Sequence, residues 1–255
     1  MRDEDLRITL IRTSCLLIEY GPWNLLTDPW FENDMRGLPV YREPGIPLAN
    51  LPKIHGIVAS HLHRDHFDRA AVAQINNPDM QIFGPFGTKR FCKDIPGAKV
   101  TELAKWDESE LGPIKLLATP AEHTGPPPAE INYVLSLGPW KVFFGGDARL
   151  SPAFKEIASV ARRIDVALLP IGGTLIFGHR TTMDPSDAVE ACRDLKPRYV
   201  IPIHEGGEWQ SVPPASQHPG RFKDFARTLD LSELDSKHCV LEPGESFTFG
   251  KEHRA

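Results

Sequence analysis

One short segment of the chain concentrates side chains that bind metal ions. Four ligand-type residues fall within six positions, directly after a short apolar run at 57–59 that we interpret as a buried strand: His61, His63, Asp65 and His66. Side chains of an extended backbone alternate between two faces, so His61 and His63 point the same way. The other two then lie on the following turn. Nitrogen and carboxylate ligands suit Zn²⁺, Fe or Mn²⁺. Histidine is scarce, at 10 of 255 residues, so three in this segment favour a metal site over a polar surface loop.

Three further ligand-type residues each come just after an apolar strand. His123 follows the run that begins at Leu116, Asp147 follows the run 142–144 and a glycine pair, and His204 follows 199–203. Taken singly, a histidine at a strand end is more often a structural residue. Together with the first segment, these positions make a set of five histidines and two aspartates at strand ends. Layered α/β sheets usually carry their chemistry there, which favours one shared metal site.

The composition excludes several classes of protein. Lys and Arg number 29 against 34 for Asp and Glu, and this net charge of −5 argues against a nucleic-acid binder or a polybasic membrane-surface protein. The charged amino terminus lacks the apolar core of an export signal, and no apolar run is long enough to cross a membrane. The four cysteines are widely spaced and are expected to be reduced core residues. We therefore predict a cytoplasmic protein.

The pattern of apolar runs and turn residues predicts a layered α/β fold. An antiparallel meander of strands is expected over 8–26, followed by a loop-rich stretch over 29–52 where prolines cluster. Helices are predicted at 68–75, 87–93, 152–162, from Asp184 onward and at 221–229, with closing strands at 239–241 and 246–249. Because no linker divides the chain, we predict one domain over 1–255, with two sheets inside and helices outside.

The motif set resembles that of the metallo-β-lactamase superfamily. Its HxHxDH signature matches residues 61–66, its later ligands match His123, Asp147 and His204, and Thr27-Asp28-Pro29-Trp30 resembles its early Asp motif. Asp28-Pro29-Trp30-Phe31, together with the phrase at 184–188, looks most like the branch of L-ascorbate-6-phosphate lactonase and N-acylphosphatidylethanolamine-hydrolysing phospholipase D. One departure is Arg12-Thr13-Ser14, where members of that branch often have Gly-His-Ser or Gly-His-Ala.

The resemblance implies a four-layer αββα sandwich and a binuclear metal site. It implies seven ligands, in one set of His61, His63 and His123, a second set of Asp65, His66 and His204, and the bridging Asp147. Asp28 would orient a ligand through a hydrogen bond. Zn²⁺ is the first choice for both ions, with Mn²⁺ or Fe as alternatives.

These features predict a metal-dependent hydrolase that cleaves an ester, lactone or phosphodiester bond. A metal-bridging hydroxide would attack the substrate, and Asp65 would carry a proton to the leaving group. The partner is expected to be a small-molecule substrate and not nucleic acid, and the oligomeric state stays open. Two alternatives are a di-iron oxidoreductase on the same fold and a non-catalytic metal-binding protein. Di-iron oxidoreductases of this fold usually have Glu in place of one His of the motif. A non-catalytic protein is disfavoured because every ligand position is filled.

Residues beside the metal motifs are candidates for substrate contact. Aromatic side chains in the adjoining loops are candidates for the wall of an apolar pocket, and a loop histidine and arginine are candidates for facing substrate or binding an anion: Trp30, Phe31, Trp209, His179 and Arg180. The segments 30–52 and 205–219 are expected to flank the metal site. The remaining histidines have no partner in sequence and are interpreted as surface residues: His55, His218, His238 and His253.

Overall fold

A computed structural model describes residues 4–35, 38–122, 130–208 and 210–253. Two of the predicted site residues, His123 and Trp209, lie outside these ranges. The strands in chain order are β1 (Leu6–Arg12), β2 (Cys15–Tyr20), β3 (Trp23–Thr27), β4 (Asp34–Met35), β5 (Leu38–Pro39), β6 (Gly56–Val58), β7 (Gln81–Gly84), β8 (Lys99–Glu102), β9 (Glu108–Leu111), β10 (Ile114–Pro120), β11 (Ile131–Leu137), β12 (Trp140–Phe144), β13 (Val166–Pro170), β14 (Leu175–Ile176), β15 (His179–Arg180), β16 (Tyr199–Ile203), β17 (Ser216–Gln217), β18 (Lys237–His238) and β19 (Ser246–Phe249). The helices are α1 (Arg69–Ile75), α2 (Thr88–Phe91), α3 (Ala153–Ala161), α4 (Pro185–Leu195) and α5 (Phe222–Asp230).

Two seven-stranded sheets share one plan. The first has the order β19-β1-β2-β3-β6-β7-β8 and the second the order β18-β16-β13-β12-β11-β10-β9. In the first sheet, β19 to β3 pair antiparallel and β3 to β8 pair parallel. In the second sheet, β9 to β12 pair antiparallel and β12 to β18 pair parallel. The predicted antiparallel meander is thereby confirmed, and each sheet has a parallel half whose strand ends face one edge.

Alternating apolar residues assign the layers. On β1, Ile8 and Leu10 belong to the main core between the sheets, whereas Ile11 belongs to a second cluster that includes Val72 of α1. The main cluster also holds buried residues of α3, α4 and α5, such as Phe154 and Phe225. Helices thus cover the outer face of each sheet, and the layers follow the order helix, sheet, sheet, helix. The predicted αββα sandwich is confirmed.

The helix predictions are confirmed with shifts of one or two residues at their ends. The Asp184 side chain accepts from the backbone N–H of Asp187 at 2.9 Å, and Pro185 occupies the first turn of α4. The strand predicted at 239–241 is wrong, because the pairing with β16 ends at His238 in the two-residue β18. Among the described residues, no helix is both long and apolar enough to cross a bilayer.

Candidate metal centre

Strand ends from both sheets meet at one edge of the sandwich. β6 leads into Ser60 and His61, while β12 leads into Asp147 and β16 into His204. The Ser60 carbonyl accepts from the backbone N–H of Ile131 at 3.0 Å, which ties the sheets together at this edge. Predicted ligands are therefore brought together from segments that are far apart in the chain.

The segment 61–66 folds as a strand end followed by a turn, as predicted. His66 and Phe67 both donate their backbone N–H to the carbonyl of His63, at 3.0 and 2.8 Å. The buried imidazole of His61 lies against two other histidines, with its ring centroid 4.5 Å from that of His63 and 4.1 Å from that of His66. These three rings form one cluster at the end of β6.

The second predicted ligand set also converges. Ligand atoms of Asp65, His66 and His204 all lie within 4.8 Å of one another. Asp147 joins them, with Oδ1 3.3 Å from His204 Nε2 and Oδ2 3.9 Å from His66 Nε2. The rings of His66 and His204 stack with their centroids 5.3 Å apart. Nitrogen and carboxylate oxygen atoms from three separate loops therefore face one small volume.

Asp28 organises the two histidines nearest to it. Its fully buried carboxylate accepts from the Ser60 backbone N–H at 2.7 Å, from Ser60 Oγ at 2.6 Å and from His66 Nδ1 at 2.7 Å. Because Ser60 Oγ gives its single proton to Asp28, the 3.0 Å contact between Oγ and His61 Nδ1 requires that Nδ1 carries the hydrogen. In both histidines the Nδ1–H is thus engaged, and Nε2 is left as the nitrogen that can bind a cation.

The electrostatics of the centre favour positive charge. Burial opposes the protonated form of His66, but the Asp65 carboxylate and the Asp28 hydrogen bond outweigh it and raise the pKa of His66 to about 10. Burial raises the pKa of Asp147 well above its usual value, although His66 opposes the shift. The carboxyl groups of Asp28, Asp65 and Asp147 lie 2.7, 3.7 and 3.9 Å from the nitrogens of buried His66.

His204 behaves in the opposite way. Burial and repulsion from His66 lower the pKa of His204 to about 3, so its imidazole is neutral at physiological pH. A neutral imidazole is the form that binds metal. Burial would raise the pKa of Asp65, but the positive charge of His66 outweighs burial and lowers that pKa, so the carboxylate is ionised.

The donor atoms fit a divalent metal ion. Nε2 of His66 is buried and has no hydrogen-bond partner within the described part of the chain. Its neighbours at 3.7 and 3.9 Å are carboxylate oxygens of Asp65 and Asp147, which is too far for a hydrogen bond. A buried nitrogen that faces carboxylates without bonding to them is the arrangement expected of ligands that share a cation.

Glu130 is a buried residue of the centre that the sequence analysis missed. Its Oε1 accepts from the backbone N–H of Asp147 at 2.8 Å. Burial, and then the nearby charge of Asp147, raise the pKa of Glu130 well above its usual value. A Cβ at Gly146 would lie 2.6 Å from the Glu130 carboxyl and 2.5 Å from Ser60 Cβ, so glycine is needed for this close approach. Glu130 follows the proline-rich segment, and no sequence motif marks it.

His218 was predicted to lie on the surface, and this prediction is wrong. The residue is only 6% exposed, and its Nδ1 lies 3.0 Å from Thr174 Oγ1. Burial lowers the pKa of His218 to about 4, although the nearby charge of Asp65 acts in the opposite direction. His218 directly follows the two-residue strand β17, which is too short to leave a periodic signal in the sequence.

The comparison with known proteins identifies the family. The family model described as a beta-lactamase superfamily domain matches residues 23–204. This chain belongs to the metallo-β-lactamase superfamily. A UPF0173 metal-dependent hydrolase of Desulforamulus reducens is 30% identical over 256 residues, which cover 94% of this chain and 98% of the relative. Another, from Methanopyrus kandleri, is 27% identical over 267 residues, which cover 95% and 99% of the two chains.

A solved structure of the same superfamily fold agrees with these matches. A metallo hydrolase of the hyperthermophilic archaeon Ignicoccus hospitalis superimposes with a TM-score of 0.77 at 22% identity, over 96% of this chain and 99% of that one. The protein is therefore a metal-dependent hydrolase of the metallo-β-lactamase superfamily. This assignment favours hydrolysis over the oxidoreductase and the non-catalytic alternatives raised from the sequence.

The predicted substrate residues of this superfamily member lie in different environments. Trp30 is fully buried under the guanidinium of Arg12, whose carbon is 4.0 Å from the ring centroid, so Trp30 offers no surface to a substrate. Phe31 is half-buried against the second core cluster. His179 is exposed on β15, and Arg180 beside it forms a 2.7 Å ion pair with Asp184.

The two loop segments predicted to flank the centre contact each other. The backbone N–H of Tyr41 donates to the carbonyl of Glu208 at 2.7 Å. Arg42 forms an ion pair with the buried carboxylate of Glu205 at 3.1 Å. Since Glu205 directly follows His204, these contacts tie the first loop to the end of β16.

Proposed function

We propose that this hydrolase uses two divalent metal ions, with Zn²⁺ as the first choice, to cleave an ester, lactone or phosphodiester bond in a small-molecule substrate. The observation that carries the proposal is the convergence of nitrogen and carboxylate atoms from Asp65, His66 and His204, with Asp147 within 3.9 Å of His66. The resemblance of the Asp28 and Asp184 motifs to the lactonase and phospholipase D branch supports the choice of these bonds.

The residues that would hold the ions form two sets. His61, His63 and His123 are assigned to one ion, and Asp65, His66 and His204 to the other, with Asp147 between them. The contact between the rings of His61 and His63 supports the first set. When bound, such a pair of ions supplies an activated water as nucleophile and stabilises the negative charge that develops on the substrate.

The chain's own residues prepare the ligands for this role. Asp28 accepts the Nδ1–H of His66 directly and that of His61 through Ser60 Oγ, so both rings present Nε2 toward the centre. Fixed hydrogen-bond partners set the tautomer and orientation of a metal-binding histidine and raise its basicity. Removal of any member of this chain of hydrogen bonds would let the rings turn or change tautomer.

Asp65 is proposed to move the proton that the leaving group needs. Burial would raise the pKa of Asp65, but the positive charge of His66 lowers it, so the side chain is ionised and has free lone pairs to act as a proton acceptor. Asp65 is also about one-fifth exposed as a side chain, unlike the fully buried side chain of His66, so it has access to the solvent side of the centre.

Metal analysis paired with a substrate panel tests the proposal. Purified protein, and metal-free protein reconstituted with Zn²⁺ or Mn²⁺, should hold about two ions per chain and hydrolyse at least one of an ester, a lactone or a phosphodiester. His204→Ala should lose about one ion together with activity. His238→Ala is the matched control, because His238 is an exposed histidine away from the centre whose Nε2 lies 3.2 Å from the exposed Asp230. A wild-type chain that takes up no metal ion from either solution contradicts the proposal.

A further inference from the structure

The turn between β1 and β2 lies directly against His204. The backbone N–H of His204 donates to the carbonyl of Thr13 at 3.0 Å. Both residues have a left-handed backbone, with φ of +54° at Thr13 and +53° at His204. This region is uncommon for residues other than glycine, and for a β-branched threonine it is a true outlier. Contacts with the surroundings must therefore hold both residues in place.

Glu208 provides those contacts from the other side. It lies four positions after His204 and is 1% exposed. Its Oε1 accepts from the backbone N–H of Thr13 at 2.8 Å, and its Oε2 accepts from the Thr13 hydroxyl. Thr13 therefore uses its backbone N–H, its hydroxyl and its carbonyl to bind the short segment 204–208, and the three residues form a closed hydrogen-bonded ring. We call Thr13, His204 and Glu208 the Thr13 clasp.

Arg12 makes the burial of this carboxylate feasible. Its fully buried guanidinium donates from Nη2 to the carbonyl of Glu32 at 2.7 Å and lies over the ring of Trp30. Burial raises the pKa of Glu208 to about 7, and the hydrogen bonds from Thr13 and the charge of Arg12 act against that rise. A buried carboxylate is costly unless it is hydrogen-bonded and charge-compensated, and Thr13 and Arg12 meet these two conditions for Glu208.

We propose that Glu208 is a positioning residue that acts through Thr13 to hold His204 in the conformation needed to bind a metal ion. The inference rests on the proposed function, in which His204 is a ligand of the second ion. It also assigns a role to the Arg12-Thr13-Ser14 turn, the segment in which this chain departs from the branch that its motifs resemble. Thr13 transmits the constraint from Glu208 to the His204 backbone.

Three variants and one control test the Thr13 clasp. Thr13→Val keeps the shape and the backbone N–H but removes the hydroxyl donor. Thr13→Ser restores that donor. Glu208→Gln keeps the size of the side chain but can no longer accept from both Thr13 donors. Thr9→Val is the matched control, because Thr9 is a 3% exposed threonine of the preceding strand β1. Its hydroxyl lies 2.9 Å from Ser246 Oγ of the neighbouring strand β19.

The readouts are the two Zn²⁺ dissociation constants, from titration of metal-free protein against a chromogenic chelator, and the melting temperature. Thr13→Val and Glu208→Gln should raise one of the two dissociation constants by about tenfold. This is the lower end of the loss in metal affinity that usually follows removal of a residue that orients a ligand. Thr13→Ser should stay within about twofold of wild type, since both donors remain. Thr9→Val should lower the melting temperature while leaving both constants unchanged.

The outcomes separate the clasp from the proposed function. Unchanged Zn²⁺ constants in Thr13→Val and Glu208→Gln, with a lowered melting temperature like that of Thr9→Val, would show that the clasp is only structural and overturn the inference. If Glu208→Gln does not fold, the comparison of Thr13→Val with Thr13→Ser decides. A wild-type chain that binds no Zn²⁺ would overturn the proposed function itself, which is a different result from equal binding by wild type and variants.

Discussion

Replacing Asp28 by asparagine should weaken metal binding far more than it weakens the fold. The carboxylate accepts three hydrogen bonds, one at Oδ1 from the Ser60 backbone and two at Oδ2 from Ser60 Oγ and His66 Nδ1. An amide has one oxygen, so either orientation points its NH₂ group at a donor. His66 relieves the clash by moving its proton from Nδ1 to Nε2, which places hydrogen on the nitrogen assigned to the metal ion.

The size of the effect follows from these contacts. Loss of the hydrogen-bond partner of a metal ligand usually lowers the affinity for the metal ion by roughly 10- to 100-fold, or about 1.4 to 2.8 kcal/mol. The free energy of unfolding of the metal-free protein should change less. Burial already raises the pKa of Asp28 against the opposing hydrogen bonds, so the neutral amide avoids part of the cost of burying a charge.

Asp68→Asn is the matched control for this prediction. Asp68 is 5% exposed and also accepts two backbone hydrogen bonds, from Ala71 at 2.9 Å and Phe31 at 3.2 Å, but it caps α1 and holds no predicted ligand. Zn²⁺ titration and kcat/KM on the best panel substrate should separate the two variants. Equal Zn²⁺ affinities for wild type, Asp28→Asn and Asp68→Asn would refute the reasoning about the His66 tautomer.

Four further predictions can be checked with the same protein. Asp65→Asn should lower kcat by at least about 100-fold at a near-normal melting temperature, as expected for loss of a proton carrier; normal turnover removes Asp65 from the mechanism. His123→Ala should reduce the Zn²⁺ content from two ions toward one in elemental analysis. Trp209→Ala should raise KM without loss of metal, and normal kinetics at a lowered melting temperature would contradict a role in substrate binding. Glu208→Gln should flatten part of the pH dependence of stability: with a folded pKa of about 7 against a usual 4.5, the wild type holds the proton more tightly when folded, so its free energy of unfolding falls as pH rises through this window. The free energy of unfolding of each protein is measured by urea titration at several pH values and plotted against pH. Across the window the wild type should lose about 3 kcal/mol more than Glu208→Gln, and parallel plots would contradict the raised pKa of Glu208.

Local signals predicted the parts of this structure that local chemistry decides. The apolar run 57–59 followed by closely spaced histidines identified the end of β6 and the turn after it, because the ligands and the strand are adjacent in sequence. Asp184 and Pro185 likewise marked the start of α4, since a cap and a first-turn proline act within one turn of helix. In both cases the residues that determine the structure lie within a few positions of each other.

Strands that are short and polar escaped prediction. β8 and β9 read Lys-Val-Thr-Glu and Glu-Ser-Glu-Leu, with hardly any buried residues, and they exist because the neighbouring strands β7 and β10 offer them hydrogen bonds. The two-residue strands β14, β15 and β17 depend even more on their partners. Tertiary pairing decides these elements, and the periodicity of so few residues carries almost no information.

The centre shows the same division between local and distant causes. A ligand can be found from its type and its place after a strand, but the groups that position it come from elsewhere in the chain. Thr13 and Glu208 are 195 residues apart in sequence, and Glu130 and Asp147 are 17 apart across a strand pair. A buried glutamate looks like any surface glutamate until the fold is known. Trp30 illustrates the converse, since its place beside the Asp28 motif suggested a pocket wall, whereas its contact with Arg12 buries it completely. Substitution at Arg12, Thr13 or Glu208 should therefore change the metal affinity of the centre although every ligand is kept. A search confined to ligand motifs would overlook all three residues.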